Sequence, residues 1–205
     1  MSDSLQKSEK DKYTTIWKCD EYRLFSPGER AIRNLKIIDF LRKCKVKTVL
    51  DAGCGTGKFM RALIEECGSE FSVHGFDIAE NCLDPSFDET KNDILTVGVL
   101  WNAEDFNKEY DAIICSDVLE HIPTEKVGLV LGNLYRCTKV FCYISIALLP
   151  DDFGPKIIGQ PLHLTVKEPN WWVDQIEKAG FKNPRYFTEK HPDGHETWLH
   201  VFLRK

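Results

Sequence analysis

The stretch from Val46 to Gly57 constrains the fold more than any other. A short apolar run, Val46 to Ala52, leads straight into Gly53-Cys54-Gly55-Thr56-Gly57. The segment Thr56 to Cys67 follows, with Phe59, Met60, Leu63, Ile64 and Cys67 expected on one buried helical face. Strand, glycine turn and helix open a βαβ unit. Three glycines in five residues let the backbone turn sharply and let a ligand approach the free N–H groups of the helix start. No Lys-Ser/Thr pair follows the glycines, which excludes a phosphate-binding P-loop. Asp51, just before the glycines, is also wrong for a pyrophosphate. A fixed carboxylate there favours a cation or an ammonium group.

Strands and helices keep alternating. Phe71 to Phe76, Ile94 to Trp101, Tyr110 to Ser116 and Val140 to Leu149 read as strands, and Glu125 to Cys137 as a helix. Tyr110 to Ser116 is nearly all apolar, as expected of a strand covered on both faces. Thr165-x-x-Glu168-Pro169 is expected to cap a helix through Ala179, stopped by Gly180. Tyr186–Thr188 and Trp198–Leu203 flank the turn His191-Pro192-Asp193-Gly194 and read as a closing hairpin. The pattern predicts a doubly wound, Rossmann-like α/β fold: a mostly parallel seven-stranded sheet with a terminal antiparallel strand. Upstream, residues 1–12 are expected to fray. Ser26-Pro27-Gly28-Glu29 reads as a capping box opening a helix to about Cys44, with Ala31, Leu35, Ile38 and Leu41 on one face. The organisation expected is an N-terminal arm or lid, 1–28, and one domain, 29–205.

Composition narrows the partners. Among 205 residues, 27 Lys and Arg face 32 Asp and Glu, a net charge of −5. That balance lacks the footprint of a general nucleic-acid or membrane-surface binder. No apolar run reaches membrane-spanning length, and the polar N-terminus does not read as a signal peptide. None of the eight cysteines forms a C-x-x-C pair, so buried free thiols in a reducing cytoplasm are expected.

The second strand ends at Asp77, about 20 residues past the glycines, where an acidic residue grips ribose hydroxyls in dinucleotide-type folds. The other reading of Asp77 is a turn cap. Asp51-Ala-Gly-Cys-Gly-Thr-Gly57, then Phe76-Asp77-Ile78, then Asp111-Ala-Ile-Ile-Cys-Ser-Asp117-Val-Leu-Glu-His121-Ile-Pro123 resemble the successive motifs of class I S-adenosylmethionine-dependent methyltransferases. The resemblance is best over about residues 35 to 150 and implies S-adenosylmethionine as cofactor. It implies that Asp51 and the backbone of Gly53, Cys54, Gly55 and Gly57 hold the methionine moiety. Asp77 would take the ribose diol and Ile78 would pack on adenine. Asn102, Ala103 and Glu104 match the family's acidic position after the third strand, where Asn102 would meet the adenine amine. The family more often has Asp at position 102, but an Asn carbonyl can accept from that amine as well. Ser116, Asp117 and Val118 would end the fourth strand beside the transferred methyl. The family's N-methylating Asn/Asp-Pro-Pro-Tyr/Phe signature is absent, which argues against an adenine or glutamine amide as acceptor.

The acceptor side is less defined. His121 and His163 are candidate bases; if either serves, turnover should carry an inflection between about pH 5 and 8. His163 reads equally as a turn hydrogen-bonder. Trp17, Tyr22 and Arg23 could close over the substrate or merely staple the arm down, and Trp101 reads as core packing. Asp117, Glu120 and His121 would share one helical face and resemble the metal-binding Glu-x-x-Glu-His cluster of ubiquinone-pathway O-methyltransferases. Asp in place of the first Glu, and Pro123, depart from that pattern, so no metal is expected. His191, His195 and His200 read as surface or turn residues. The expected reaction is methyl transfer to a small polar molecule. The alternatives are a protein or tRNA acceptor, or a cofactor-binding subunit without catalysis of its own.

Overall fold

The computed structural model describes residues 2–25, 36–87 and 89–205. The proposed capping box, Ala31 and Leu35 lie outside them, as does the 28/29 boundary. The strands are β1 (Thr48–Ala52), β2 (Ser72–Asp77), β3 (Leu95–Val97), β4 (Tyr110–Ser116), β5 (Thr138–Ala147), β6 (Arg185–Lys190) and β7 (Glu196–Arg204). They form one sheet of order β3-β2-β1-β4-β5-β7-β6, parallel except at β5–β7 and β7–β6. The doubly wound sheet and closing hairpin are thus present.

Alternation along each central strand feeds two separate cores. Ala112 and Ile114 of β4, with Phe141 and Tyr143 of β5, face one core. Ile113 and Cys115, with Cys142, Ile144 and Ile146, face the other. Pleating sends successive side chains to opposite faces, and both faces are covered. The helices are α1 (Ser2–Ile16), α2 (Asp20–Phe25), α3 (Lys36–Lys43), α4 (Lys58–Cys67), α5 (Lys91–Ile94), α6 (Thr124–Cys137), α7 (Phe153–Ile158) and α8 (Pro169–Lys178). Residues of α1, α3 and α4 join the first core, among them Ile16, Leu41, Met60 and Leu63. Residues of α6 and α8 join the second, including Leu131, Leu134, Trp172 and Ile176. Each such side chain stabilises the fold by about 1.5–3 kcal/mol when fully buried.

Several local expectations need correction. Residues 2–12 do not fray: they form most of α1, which carries Leu, Gln, Lys and Glu, all good helix formers. An exposed Lys7–Asp11 pair at i,i+4 supports it, and Ile16 and Trp17 anchor its end in the first core. On α4, Ile64 is exposed and Cys67 only half-buried. The strand expected at Ile94–Trp101 stops at Val97, and Gly98 to Trp101 turn away from the sheet. Thr165 does not cap α8. Its hydroxyl donates to Ile122 O at 2.7 Å and pairs with Thr124 Oγ1 at 2.8 Å. His200 is not a surface residue: it lies buried between the Tyr143 hydroxyl at 2.7 Å and Glu189 Oε1 at 3.0 Å.

Candidate active site

The strand order runs outward in opposite directions from β1 and β4, so their C-terminal ends open a crevice at the switch point. The loop after β1 supplies its floor. Gly53 sits at φ +82°, and a Cβ there would come within 2.3 Å of Val118 Cγ2. Only glycine fits, on both conformational and steric grounds. The Gly53 and Cys54 N–H groups donate to Phe76 O at 2.7 and 3.0 Å, which ties the loop to the end of β2. Gly57, also left-handed at φ +77°, starts α4.

Asp77 clasps this loop. Its Oδ2 accepts from Gly55 N at 3.0 Å and its Oδ1 from Ala79 N at 2.9 Å. It is therefore a turn cap and a cavity-lining carboxylate at once. Burial pushes its carboxyl up to about 6 despite these backbone donors. Asp51, at the end of β1, is pushed up to about 8 by burial, with the charge of Asp77 adding to it. Two carboxylates are thus held out of water with no cationic side chain offsetting them among the described residues. Such a site is complementary to a ligand that brings its own positive charge.

The cavity above has a volume of about 100 Å³. Gly53, Cys54, Gly55, Asp77 and Ile78 form one side. Ser116, Asp117 and Val118 at the end of β4 form the base. Asp117 adopts φ +59°, which for a non-glycine residue is a strained position of the kind found at functional sites. Its N–H is fixed to Ser145 O at 3.0 Å, and Ser116 and Ser145 share a 2.6 Å hydrogen bond beneath it. Asn102, Ala103 and Glu104 do not line the cavity. Asn102 Oδ1 instead accepts from Glu104 N at 3.0 Å, and the wall at that place is Gly98 to Trp101. Trp101 is therefore a cavity residue and not only core.

The roof is α1 and α2. Glu9, Tyr13, Trp17 and Tyr22 all face the cavity, and the Trp17 and Tyr22 rings meet edge-on at 4.8 Å. Glu9 pairs with Lys12 of the same helix, and both are buried. Arg23 does not reach the substrate space. Its guanidinium donates to Trp17 O, Asn81 O and Leu83 O at 3.3, 3.0 and 2.7 Å, which locks the arm to the loop after β2. Asn81 Nδ2 reinforces that lock by donating to Thr14 O at 3.1 Å. Among the described residues, the buried Tyr13 hydroxyl and Trp17 indole N–H find no hydrogen-bond partner. A buried polar group left this way costs free energy, and a ligand in the cavity would supply its partner. Glu9, Lys12 and Tyr13 escaped the sequence reading, although the i, i+3, i+4, i+7 spacing of Glu9, Lys12, Tyr13 and Ile16 marks one helix face.

At the far end, His121 lines the cavity and His163 stands behind it, their rings edge-on at 4.8 Å. His121 Nδ1 lies 3.2 Å from Leu162 O, and His163 Nδ1 lies 2.5 Å from Leu149 O. A carbonyl can only accept, so each Nδ1 carries a proton. Asp151 builds this corner. Its carboxylate accepts from Gly154 N, Leu162 N and His163 N at 2.6–2.9 Å, and against the cost of burial these donors hold it below the usual carboxylate range. Burial, with the His163 ring and the Lys12 ammonium nearby, pushes His121 down to about 3. The expected titration of His121 between about pH 5 and 8 is therefore corrected: its imidazole is neutral throughout that range. Glu120, His121 and His163 place one ligand atom each within 4.8 Å of one another, and Asp117 is not part of that group. His191 and His195 flank Asp193 on the exposed hairpin turn. No described helix is long and apolar enough to cross a membrane.

A profile of the methyltransferase domain family matches residues 27–191. The chain is 33% identical over 94 residues to a ubiquinone biosynthesis O-methyltransferase of Hydrogenovibrio crunogenus, covering 43% of this chain and 38% of that one. It is 30% identical over 116 residues to a magnesium-protoporphyrin O-methyltransferase of Synechocystis, covering 54% and 46%. Both matches thus span less than half of the relative's length. Among solved structures, the fold matches a SAM-dependent methyltransferase from Archaeoglobus fulgidus with TM-score 0.62 and 19% identity, covering 91% of this chain and 100% of that one. It also matches magnesium protoporphyrin IX methyltransferase from Synechocystis with bound SAH, with TM-score 0.61 and 18% identity, covering 87% and 84%.

Proposed function

The chain belongs to the methyltransferase domain family, whose cofactor is S-adenosylmethionine, and we propose that it transfers the cofactor's methyl group to a hydroxyl oxygen of a small planar molecule. The observation that carries this reading is the His121 imidazole at the end of an aromatic-walled cavity, its Nδ1–H held by Leu162 O. The residues present fit the cofactor. Asp77 and the Gly55 N–H offer an acceptor and a donor at the end of β2, Gly53 leaves no room for a side chain, and buried Asp51 awaits a cation. The sulfonium supplies an activated methyl. The chain's own residues align, desolvate and move a proton. Trp17, Tyr22, Tyr13 and Trp101 offer flat walls to a planar acceptor. His121 Nε2 accepts its hydroxyl proton, and the Nδ1–H bond to Leu162 O keeps the ring turned the right way. Holding the oxygen in line with the methyl supplies most of the rate, and proton removal by an imidazole this weakly basic adds at most about 10²-fold.

The acceptor is small because α1 roofs the cavity. Its volume of about 100 Å³ is below the roughly 300–1,000 Å³ of small-molecule sites. The N-terminal arm therefore acts as a lid that opens to admit both ligands and closes before transfer. Eight free cysteines suit a reducing, cytoplasmic setting. The test is incubation with methyl-labelled cofactor and a fractionated metabolite pool, read by label transfer. A labelled phenol or other hydroxyl compound supports the proposal. Label in protein or tRNA only, or none anywhere, refutes it.

A further inference from the structure

Beside the glycine turn, two thiols from different loops come together. Cys54 belongs to the glycine turn and Cys82 to the segment after β2, and both are buried. The two sulfurs face each other across the gap between these loops. Asp77 completes the group, with one ligand atom from each of the three side chains within 4.8 Å of the others. Cys54 and Asp77 line the cavity, so a fourth direction opens onto it. The methyl-transfer account uses neither thiol. The neighbouring Cys82 thiol, together with burial, pushes the Cys54 thiol well above its usual range. The pair is therefore protonated at neutral pH and a poor nucleophile.

We propose that Cys54, Cys82 and Asp77 bind a thiophilic d¹⁰ divalent cation, Zn²⁺ or Cd²⁺, and that this ion and the cofactor exclude one another. The exclusion rests on the reading of Asp77 as a cofactor ligand. Two soft sulfurs and one carboxylate form a donor set for such an ion, and three protein ligands with an open fourth position leave room for water. Metal–sulfur bonds of about 2.3 Å and metal–oxygen bonds of about 2.0–2.2 Å require the cluster to contract by only about 1 Å. In the step, two S–H bonds break, two metal–sulfur bonds form and two protons leave to solvent, with no change of oxidation state. Occupation would pin the glycine turn to the loop after β2 and withdraw Asp77 from the ribose.

The experiment titrates Cd²⁺ into the full, cofactor-free chain and follows the ultraviolet sulfur-to-cadmium charge-transfer band. Only thiolate ligation gives that band, so an ion on the His191–Asp193–His195 turn does not. The proposal expects a band saturating at one ion per chain, lost in Cys54→Ser and in Cys82→Ser and kept in Cys67→Ser, with far-ultraviolet circular dichroism showing each variant folded. With SAH at about 100 times its dissociation constant, the apparent Cd²⁺ affinity should fall about 100-fold by mass action. No band, a band that survives both variants, or a band indifferent to bound SAH overturns the proposal. SAH failing to bind the metal-free wild type in calorimetry refutes the cofactor reading, and the exclusion with it. That failure is seen separately from the band.

Discussion

The two halves of the cavity are built in opposite ways. The cofactor half is built on the backbone at the ends of adjacent parallel strands: the glycine turn, the end of β2 and the end of β4, tied by bonds such as Gly53 N to Phe76 O and Gly55 N to Asp77 Oδ2. The acceptor half is made of side chains from distant segments: Tyr13 and Trp17 from the arm, Trp101 after β3, His121 after β4 and His163 beyond α7. A backbone cradle serves one invariant ligand. A side-chain wall can be changed without touching the sheet. The two halves should therefore fail separately when mutated.

The largest separation is expected from His121→Ala. Turnover should fall by up to about 10²-fold, the low end for a general base, while SAH affinity, measured by calorimetry, stays put. A parallel loss of SAH affinity would show that the halves are one unit. Next comes Asp77→Ala, which removes hydrogen bonds to a charged group worth about 1.5–3 kcal/mol, or about 10–150-fold in SAH affinity. Near-normal turnover at saturating cofactor should remain, because no acceptor contact is lost.

A smaller effect concerns pH and sharpens the cofactor half alone. In the free protein Asp51 is protonated below about 8, and a bound ammonium group would favour its charged form. Binding near pH 7 should release up to one proton, seen as a dependence of calorimetric heat on buffer ionisation. Affinity should rise with pH between about 6 and 8, by at most about tenfold per unit. The same group acts on folding. Its pKa is raised in the fold, so it contributes stability that is lost as pH rises through the folded value. The melting temperature of the free protein should therefore fall between about pH 6.5 and 8, a window above the ordinary histidine pKa, and SAH should flatten that slope. An unchanged melting temperature across the window would mean that Asp51 is already ionised. The smallest effect is expected from Trp17→Ala, a few-fold rise in acceptor KM with kcat nearly kept, checked by steady-state kinetics.

The same contrast explains what the sequence made legible. β4 runs over the residues expected of it, because an all-apolar run between polar turns admits little else. Gly53, Cys54, Gly55 and Asp77, singled out by the spacing of glycines and a carboxylate, and Val118, singled out by the resemblance, all line the cavity. The roof was not found. Glu9 and Tyr13 sit in a segment too polar to read as a packed helix, and their burial comes only from docking over a cavity built by residues 50 to 120. Arg23 looked like a ligand-binding cation, but the Trp17 carbonyl of the arm and the Asn81 and Leu83 carbonyls of the loop after β2 claim it. The low pKa of His121 depends on burial under α1 and on the neighbouring His163, neither of which local spacing reveals.

Calorimetric titration of SAH into the wild type, Asp77→Ala and His121→Ala tests the division most directly. The account predicts micromolar binding to the wild type, about −8 kcal/mol, an equal value for His121→Ala, and a loss of about 1.5–3 kcal/mol for Asp77→Ala. Unchanged affinity in Asp77→Ala, or an equal loss in both variants, would contradict it.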